Sequence, residues 1–229
     1  MKIYDSLTVG QVLKRGADQI PDKIAVVDGD HRKTYRELND MANALAAGLA
    51  QIGFQKGDRA AIYMKNSVEL MVAFYALQKL GVIVAWVNPL YRQNAAEFIL
   101  KDSEAKGVFI FDEWEGHNYL DDILNLKPKL PNLDTIILAG RGEGPQVYSF
   151  VSLIEDGRKL SLPSVDIDPR EDLAMLLYTS GTTGQPKGAM ISHYAAVRAG
   201  WEYALGTNAG PDDIFIGFLP MSHSYGCGS

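Results

Sequence analysis

The chain has 229 residues, 47% of them hydrophobic, a formal net charge of −6 and one cysteine, Cys227. That length holds one large domain or two small ones, and the apolar content supports a proper core. The lack of a basic block argues against a nucleic-acid partner, and a lone cysteine excludes an intrachain disulfide framework and fits a reducing compartment. Met1-Lys2-Ile3-Tyr4-Asp5 lacks the apolar core of a signal peptide. The longest apolar region, 68–87, contains Glu69, Gln78, Lys79 and Gly81 and reads as helix then strand, not as a membrane span. A cytoplasmic protein is expected.

Taken in order, residues 8–20 read as an amphipathic helix ended by Pro21. Residues 24–28 and 32–34 read as strands around a turn at Gly29. Thr34-Tyr35-Arg36-Glu37 is a capping box that opens a helix to about Ile52, with Gly53 as its stop. Leu38, Met41, Leu45 and Leu49 recur at helical spacing and are assigned to the core. A strand is expected over 59–64, and a helix capped at Asn66-Ser67 runs to about Leu80. Residues 82–87 form a nearly continuous apolar run, the pattern of a parallel strand buried on both faces. Helix follows over 93–103, strand over 108–111, helix over 121–126 and strand over 135–138. Residues 140–145 form a loop, 149–156 a short helix and 160–169 an extended linker. Strands are then expected over 173–178 and 188–191, a helix capped by Ser192 to about Leu205, and a last strand over 214–219. The β-α-β alternation gives an α/β fold with mostly parallel sheets covered by helices.

The chemistry concentrates in Tyr178-Thr179-Ser180-Gly181-Thr182-Thr183-Gly184-Gln185-Pro186-Lys187-Gly188, eleven residues with three threonines, a serine, three glycines and one lysine. Small residues let a backbone wrap a ligand, with N–H groups pointing inward as an anion nest. Hydroxyls and an ammonium add donors, so the natural partner is a polyphosphate. The segment is not a Walker A loop, because Gly188 follows Lys187 where that motif has a hydroxyl residue. Nor is it G-x-G-x-x-G. The bland alternative is a Gly/Ser/Thr-rich surface loop.

This segment resembles the signature of adenylate-forming enzymes, which include acyl-CoA synthetases, peptide-synthetase adenylation domains and luciferases. Pro220-Met221-Ser222-His223-Ser224-Tyr225-Gly226 is similar to the next motif of that family, departing from its commoner forms at Ser222, where a bulky residue is often found. A diffuse match runs from Gly57-Asp58-Arg59 through Asn66-Ser67 to Gly81 and Asn88-Pro89-Leu90-Tyr91. The nearest flavour is a fatty-acid–CoA ligase. The resemblance implies that Ser180, Thr182 and Thr183, with the backbone of Gly181 to Gly184, hold the β- and γ-phosphates of ATP. Lys187 contacts phosphate, or else anchors the loop to an acidic neighbour. Thr179 approaches Mg²⁺, and His223, Tyr225 and Gly226 border the acyl group and the adenylate.

The implied reaction joins a carboxylic acid to ATP as acyl-AMP, then passes the acyl group to coenzyme A. In similar enzymes the adenine contacts, an acidic Mg²⁺ ligand and the catalytic lysine come from later motifs. The resemblance therefore implies an N-terminal portion with no catalytic residue of its own, inactive in isolation. Residues 1–55 and 170–229 are expected to build one subdomain and 56–169 another, with an apolar surface that favours homo-oligomers. An adenylation domain that loads an amino or aryl acid onto a carrier protein, and a non-catalytic phosphate-binding or interaction module, are the alternatives. His193 is read as part of a helix start, His31 and His117 as surface residues, and Asp121-Asp122 and Asp212-Asp213 as loop or helix-start charges. Cys227 has no local partner that suggests a nucleophile.

Overall fold

Thr8 opens the first helix with a reciprocal cap. Its hydroxyl accepts from the Gln11 N–H at 3.3 Å, and Gln11 Oε1 accepts from the Thr8 N–H at 2.9 Å. The computed structural model describes residues 6–179 and 186–223. Helix α1 (Val9–Gln19) leads into a hairpin of β1 (Ile24–Asp28) and β2 (His31–Thr34). The expected box at Thr34 and Glu37 is formed and starts α2 (Tyr35–Gln51). Then come β3 (Arg59–Tyr63), α3 (Val68–Leu80), β4 (Ile83–Trp86), α4 (Gln93–Asp102) and β5 (Gly107–Ile110). Helix α3 is capped by Ser67, whose hydroxyl accepts from the Leu70 N–H at 3.1 Å, and it stops where Gly81 adopts a left-handed φ of 68°. A two-residue ladder, β6 (Glu113–Trp114) with β7 (His117–Asn118), precedes α5 (Tyr119–Leu126). After a 3-10 turn over Lys127–Lys129 come β8 (Thr135–Leu138), β9 (Val147–Ser149), α6 (Phe150–Gly157), β10 (Leu173–Thr179), β11 (Lys187–Ser192) and α7 (His193–Gly206).

Seven strands form one sheet in the order β11-β10-β4-β3-β5-β8-β9. Every neighbouring pair is parallel except β10 with β11. Strands from 56–169 and from 170–229 thus share this sheet. The α/β reading with a mostly parallel sheet is borne out.

The strands split their side chains between two cores with period two. Ala60, Ile62, Val84, Trp86, Phe109 and Ile137 face the core shared with α1, α2, α3 and α6. Ala61, Tyr63, Ala85, Val87, Val108, Ile110, Ile136 and Leu138 face the core shared with α4 and α5. Leu45, Leu49 and Leu77 are fully buried, and burying each such side chain contributes about 1.5–3 kcal/mol. No helix among the described residues is long and apolar enough to cross a membrane.

Helices α2 and α6 approach until backbone meets backbone. A Cβ on Gly157 would collide with the Ala44 carbonyl oxygen, and one on Gly48 with the carbonyl of Leu153. His193 stands at the first position of α7 and is fully buried. Its Nδ1 accepts from the Val9 N–H at 3.3 Å, tying α7 to α1 across 184 residues of sequence. Burial pushes its pKa down to about 4, with Asp172 opposing the shift and Lys56 adding to it.

Three expectations need correction. Residues 214–219 are not a strand; they run irregularly, with Ile214 90%, Ile216 82% and Phe218 81% exposed. Carbonyls that a ladder would use, those of Gly217 and Leu219, are taken by the Asn66 side chain instead. His117 is not a surface residue: its side chain is 22% exposed, its Nε2 lies 2.9 Å from Asp122 Oδ2, and its ring meets Tyr119 edge-on at 4.7 Å. Helix α5 begins two residues before the expected start, because Asn118 caps it by accepting from the Asp121 N–H. Strands β6, β7 and β9, two or three residues each, were not expected at all.

Two outcomes follow from this packing. Gly157→Ala will lower stability by about 1–3 kcal/mol despite alanine's better helix propensity, because the methyl must push backbone aside. Urea unfolding of the two proteins measures it, and an unchanged midpoint would mean that α6 slides freely. The pKa of His193 is lower in the folded state than the ordinary value near 6.5, so its contribution is present above that value. It is lost as pH falls through about 4. Stability should drop by up to about 3 kcal/mol over that interval, and His193→Gln should flatten this part of the profile in denaturant titrations at stepped pH.

Candidate functional site

Parallel strands bring their carboxyl ends to one edge of the sheet, where ligands of open α/β sheets bind. Here that edge collects the connection after β10, the turn after β3 and the start of α4. Strand β10 is seated from below: Gln78, fully buried on α3, donates through Nε2 to the Ala174 carbonyl at 2.9 Å. The strand then turns back as β11, with Thr179 opposite Lys187 and Tyr178 opposite Gly188. The glycine- and threonine-rich segment is therefore flanked by an antiparallel pair of strands, 173–179 and 187–192, in agreement with the strands expected on either side of it.

Of the residues expected at the nucleotide and its metal, Thr179 and Lys187 stand exposed on facing strands at the mouth of that loop. Ser180, Gly181, Thr182, Thr183 and Gly184 lie outside the described residues. Among the described residues no carboxylate pairs with the Lys187 ammonium. The mouth is braced by Tyr178, whose hydroxyl donates to Asp102 Oδ2 at 2.8 Å. Burial, and then the neighbouring Asp102 carboxylate, raise the Tyr178 pKa, which keeps the phenol protonated as a donor. Gly188 leaves room for this ring, since a Cβ there would lie 3.1 Å from its Cζ.

His223 is exposed at the end of the described chain, its N–H donating to the Pro220 carbonyl at 2.9 Å. Tyr225, Gly226 and Cys227 lie outside the described residues. The segment before His223 is held by a residue that the sequence reading credited only with capping and a diffuse resemblance. Asn66 donates through Nδ2 to the carbonyls of Gly217 at 3.0 Å and Leu219 at 2.7 Å, and its Oδ1 accepts from the Met221 N–H at 2.9 Å. Nothing in the local sequence signals a grip that spans more than 150 residues. Strand β3 lies two strands from β10, so Asn66 and Thr179 are roughly 10 Å apart along the edge by ordinary strand spacing.

Two further polar atoms matter here. Trp86 Nε1, at the carboxyl end of β4, and Ser222 Oγ are buried with no partner among the described residues. A depression of about 490 Å³ also opens at the start of α4, lined by Arg92, Gln93, Asn94, Ala95, His117 and Asp122. Several of its polar groups are already engaged: Gln93 Nε2 donates to Asp122 Oδ1 at 2.6 Å, and Arg92 donates to the neighbouring carbonyls of Leu90 and Tyr91. Among the described residues no cluster of three His, Cys, Asp or Glu side chains could hold a metal ion.

Comparison with known proteins converges on one family. The profile described as AMP-binding enzyme matches residues 13–229. The chain is 32% identical over 210 residues to the medium/long-chain-fatty-acid–CoA/3-oxocholest-4-en-26-oate–CoA ligase of Mycobacterium tuberculosis, covering 88% of this chain and 37% of that one. It is 28% identical over 242 residues to the long-chain-fatty-acid–CoA ligase of Bacillus subtilis, covering 96% and 43%. Among solved structures, apo MbtA of Mycobacterium smegmatis superposes with a TM-score of 0.87 at 28% identity, covering 97% of this chain and 41% of that one. The chain thus spans less than half the length of these relatives.

The brace at the loop mouth gives a measurable coupling. Tyr178→Phe and Asp102→Ala should each cost about 0.5–1.5 kcal/mol, the worth of one hydrogen bond, and the double variant should cost less than their sum. Additive losses in a denaturation cycle would show that the pair does not interact in solution.

Proposed function

The chain belongs to the AMP-binding enzyme family, and we propose that it supplies the phosphate-binding part of an ATP-dependent, AMP-forming acid–CoA ligase. The observation that carries the reading is the pair Thr179 and Lys187. A hydroxyl and an ammonium, both exposed, face each other at the mouth of a Gly/Ser/Thr loop, on the ligand-binding edge of a parallel sheet. Among the described residues no carboxylate pairs with the lysine, so its charge is available to an anionic ligand, which disfavours the loop-anchor alternative. A fatty acid is the proposed carboxylic substrate, supported by the names of the relatives that match.

In this reading a carboxylate oxygen of the acid attacks the α-phosphorus of ATP. The bond to pyrophosphate breaks, and acyl-AMP forms. The thiolate of coenzyme A then attacks the acyl carbon and AMP leaves. Lys187 acts as a point charge that offsets the negative charge gathering on the departing pyrophosphate. Ser180, Thr182 and Thr183 donate to the β- and γ-phosphates, as do the N–H groups of Gly181 to Gly184. His223, Tyr225 and Gly226 border the acyl group and the adenylate. The residues at hand fit Mg²⁺ only as a companion of the nucleotide: Thr179 offers one oxygen, and Mg²⁺ commonly keeps phosphate oxygens and water as its other ligands. When bound, it neutralises phosphate charge.

Lys187→Ala in the intact protein should lower kcat/KM for ATP on the order of ten- to a hundredfold, the worth of a charge-assisted contact of roughly 1.5–3 kcal/mol. Steady-state kinetics beside a folding check decide it. An unchanged value removes Lys187 from the site, and a loss that follows thermal stability alone makes it a structural residue.

A further inference from the structure

The structure assigns to Asn66 a positioning role: it sets the His223 segment against the sheet edge that carries the phosphate loop. This rests on the proposed ligase reading, in which that segment borders the acid.

The grip uses both ends of the amide. Two N–H groups go to the carbonyls of Gly217 and Leu219, and the oxygen takes the Met221 N–H. Both amide donors are thereby satisfied, along with one acceptor position, so only this orientation of the amide serves the segment. The three contacted backbone groups lie within five residues, and the last is two residues before His223, whose N–H donates to the Pro220 carbonyl. The segment has no ladder of its own to define its path, and its side chains at Ile214, Ile216 and Phe218 are exposed. Its course over 217–221 is therefore set largely by Asn66, with Met221 packing partly buried against the core.

The base of the grip is stiff. Asn66 is followed by Ser67, 6% exposed, whose hydroxyl caps α3. Helix α3 is itself embedded, with Leu70, Val72, Ala73 and Leu77 at 1% exposure or less, and its Gln78 holds β10. One helix thus fixes both halves of the site: Gln78 seats the strand that leads into the phosphate loop, and Asn66 holds the segment that leads to His223. Asn66 touches no reacting atom in this scheme; it acts by placing the residues that do.

The test uses the intact protein with Asn66→Asp and Asn66→Ala, and Gly157→Ala as a control for stability loss far from this edge. Asn66→Asp keeps the shape and the acceptor for Met221 but turns a carboxylate toward two carbonyls. Carboxylate-dependent pyrophosphate exchange is measured with a fatty-acid panel, varying acid and ATP separately, beside hydrogen exchange at residues 217–223. The expected result is a rise in KM for the acid, or a fall in kcat, of about tenfold or more for both Asn66 variants. KM for ATP should stay within about threefold, and exchange over 217–223 should become faster. Those are the effects of losing two or three partly exposed hydrogen bonds. Gly157→Ala should lower the melting temperature without this split. Equal effects on acid and ATP, or a split reproduced by Gly157→Ala, overturn the positioning role. So does unchanged exchange over 217–223. A wild-type protein that shows no acid-dependent exchange overturns the ligase reading itself, and the inference with it.

Discussion

Strands β3 and β4 are buried on both faces, and much of the remaining architecture answers to that fact. Ala60 and Ile62 face one core while Ala61 and Tyr63 face the other, and Val84 with Trp86 and Ala85 with Val87 repeat the division. A strand covered on both sides must be joined to its parallel neighbour by a crossover, and crossovers place helices over each face. The same constraint sends every parallel strand in one direction. The loop after β10, Asn66 after β3 and the start of α4 share an edge for that reason.

Close approach of helices completes the frame. Gly48 on α2 and Gly157 on α6 leave backbone against backbone, so position along these helices is set by collision as much as by attraction. Buried polar side chains supply the links that apolar packing cannot orient. Gln78 reaches β10 from α3, and His193 joins α7 to α1. Thr179, Lys187 and His223 stand exposed on this frame, the usual division between a rigid scaffold and binding segments.

What the sequence could reveal was what is written locally. The box at Thr34 and Glu37, the Ser67 cap and the apolar run before Val87 carry their own signals, and the structure has all three. The Gly/Ser/Thr-rich segment around 178–188 drew notice through its composition, which is the ground for proposing a phosphate role for it. Burial of His193 was not legible, since it depends on a helix 184 positions away, and neither was the Asn66 grip, which no spacing announces. Residues 214–219 misled for a related reason. A short apolar run looks like a strand wherever it occurs, yet a strand needs a partner, and here a side chain occupies the carbonyls in its place. His117 misled because the turn that brings it to Asp122 and Tyr119 is made by a two-residue ladder too short to foresee.

The two holds on the candidate site differ in kind. Asn66 works through one neutral amide and three backbone groups, none of which ionises between pH 4 and 10. Lys187 is an exposed point charge, and the attraction of such a charge for an anion weakens as the Debye length shrinks from about 10 Å at 0.1 M salt to about 3 Å at 1 M. Ionic strength therefore acts on one half of this edge and leaves the other alone. On the ligase assignment, added salt loosens the nucleotide while the wall presented to the acid keeps its shape, so the balance between the two substrates is set by the medium as well as by the protein.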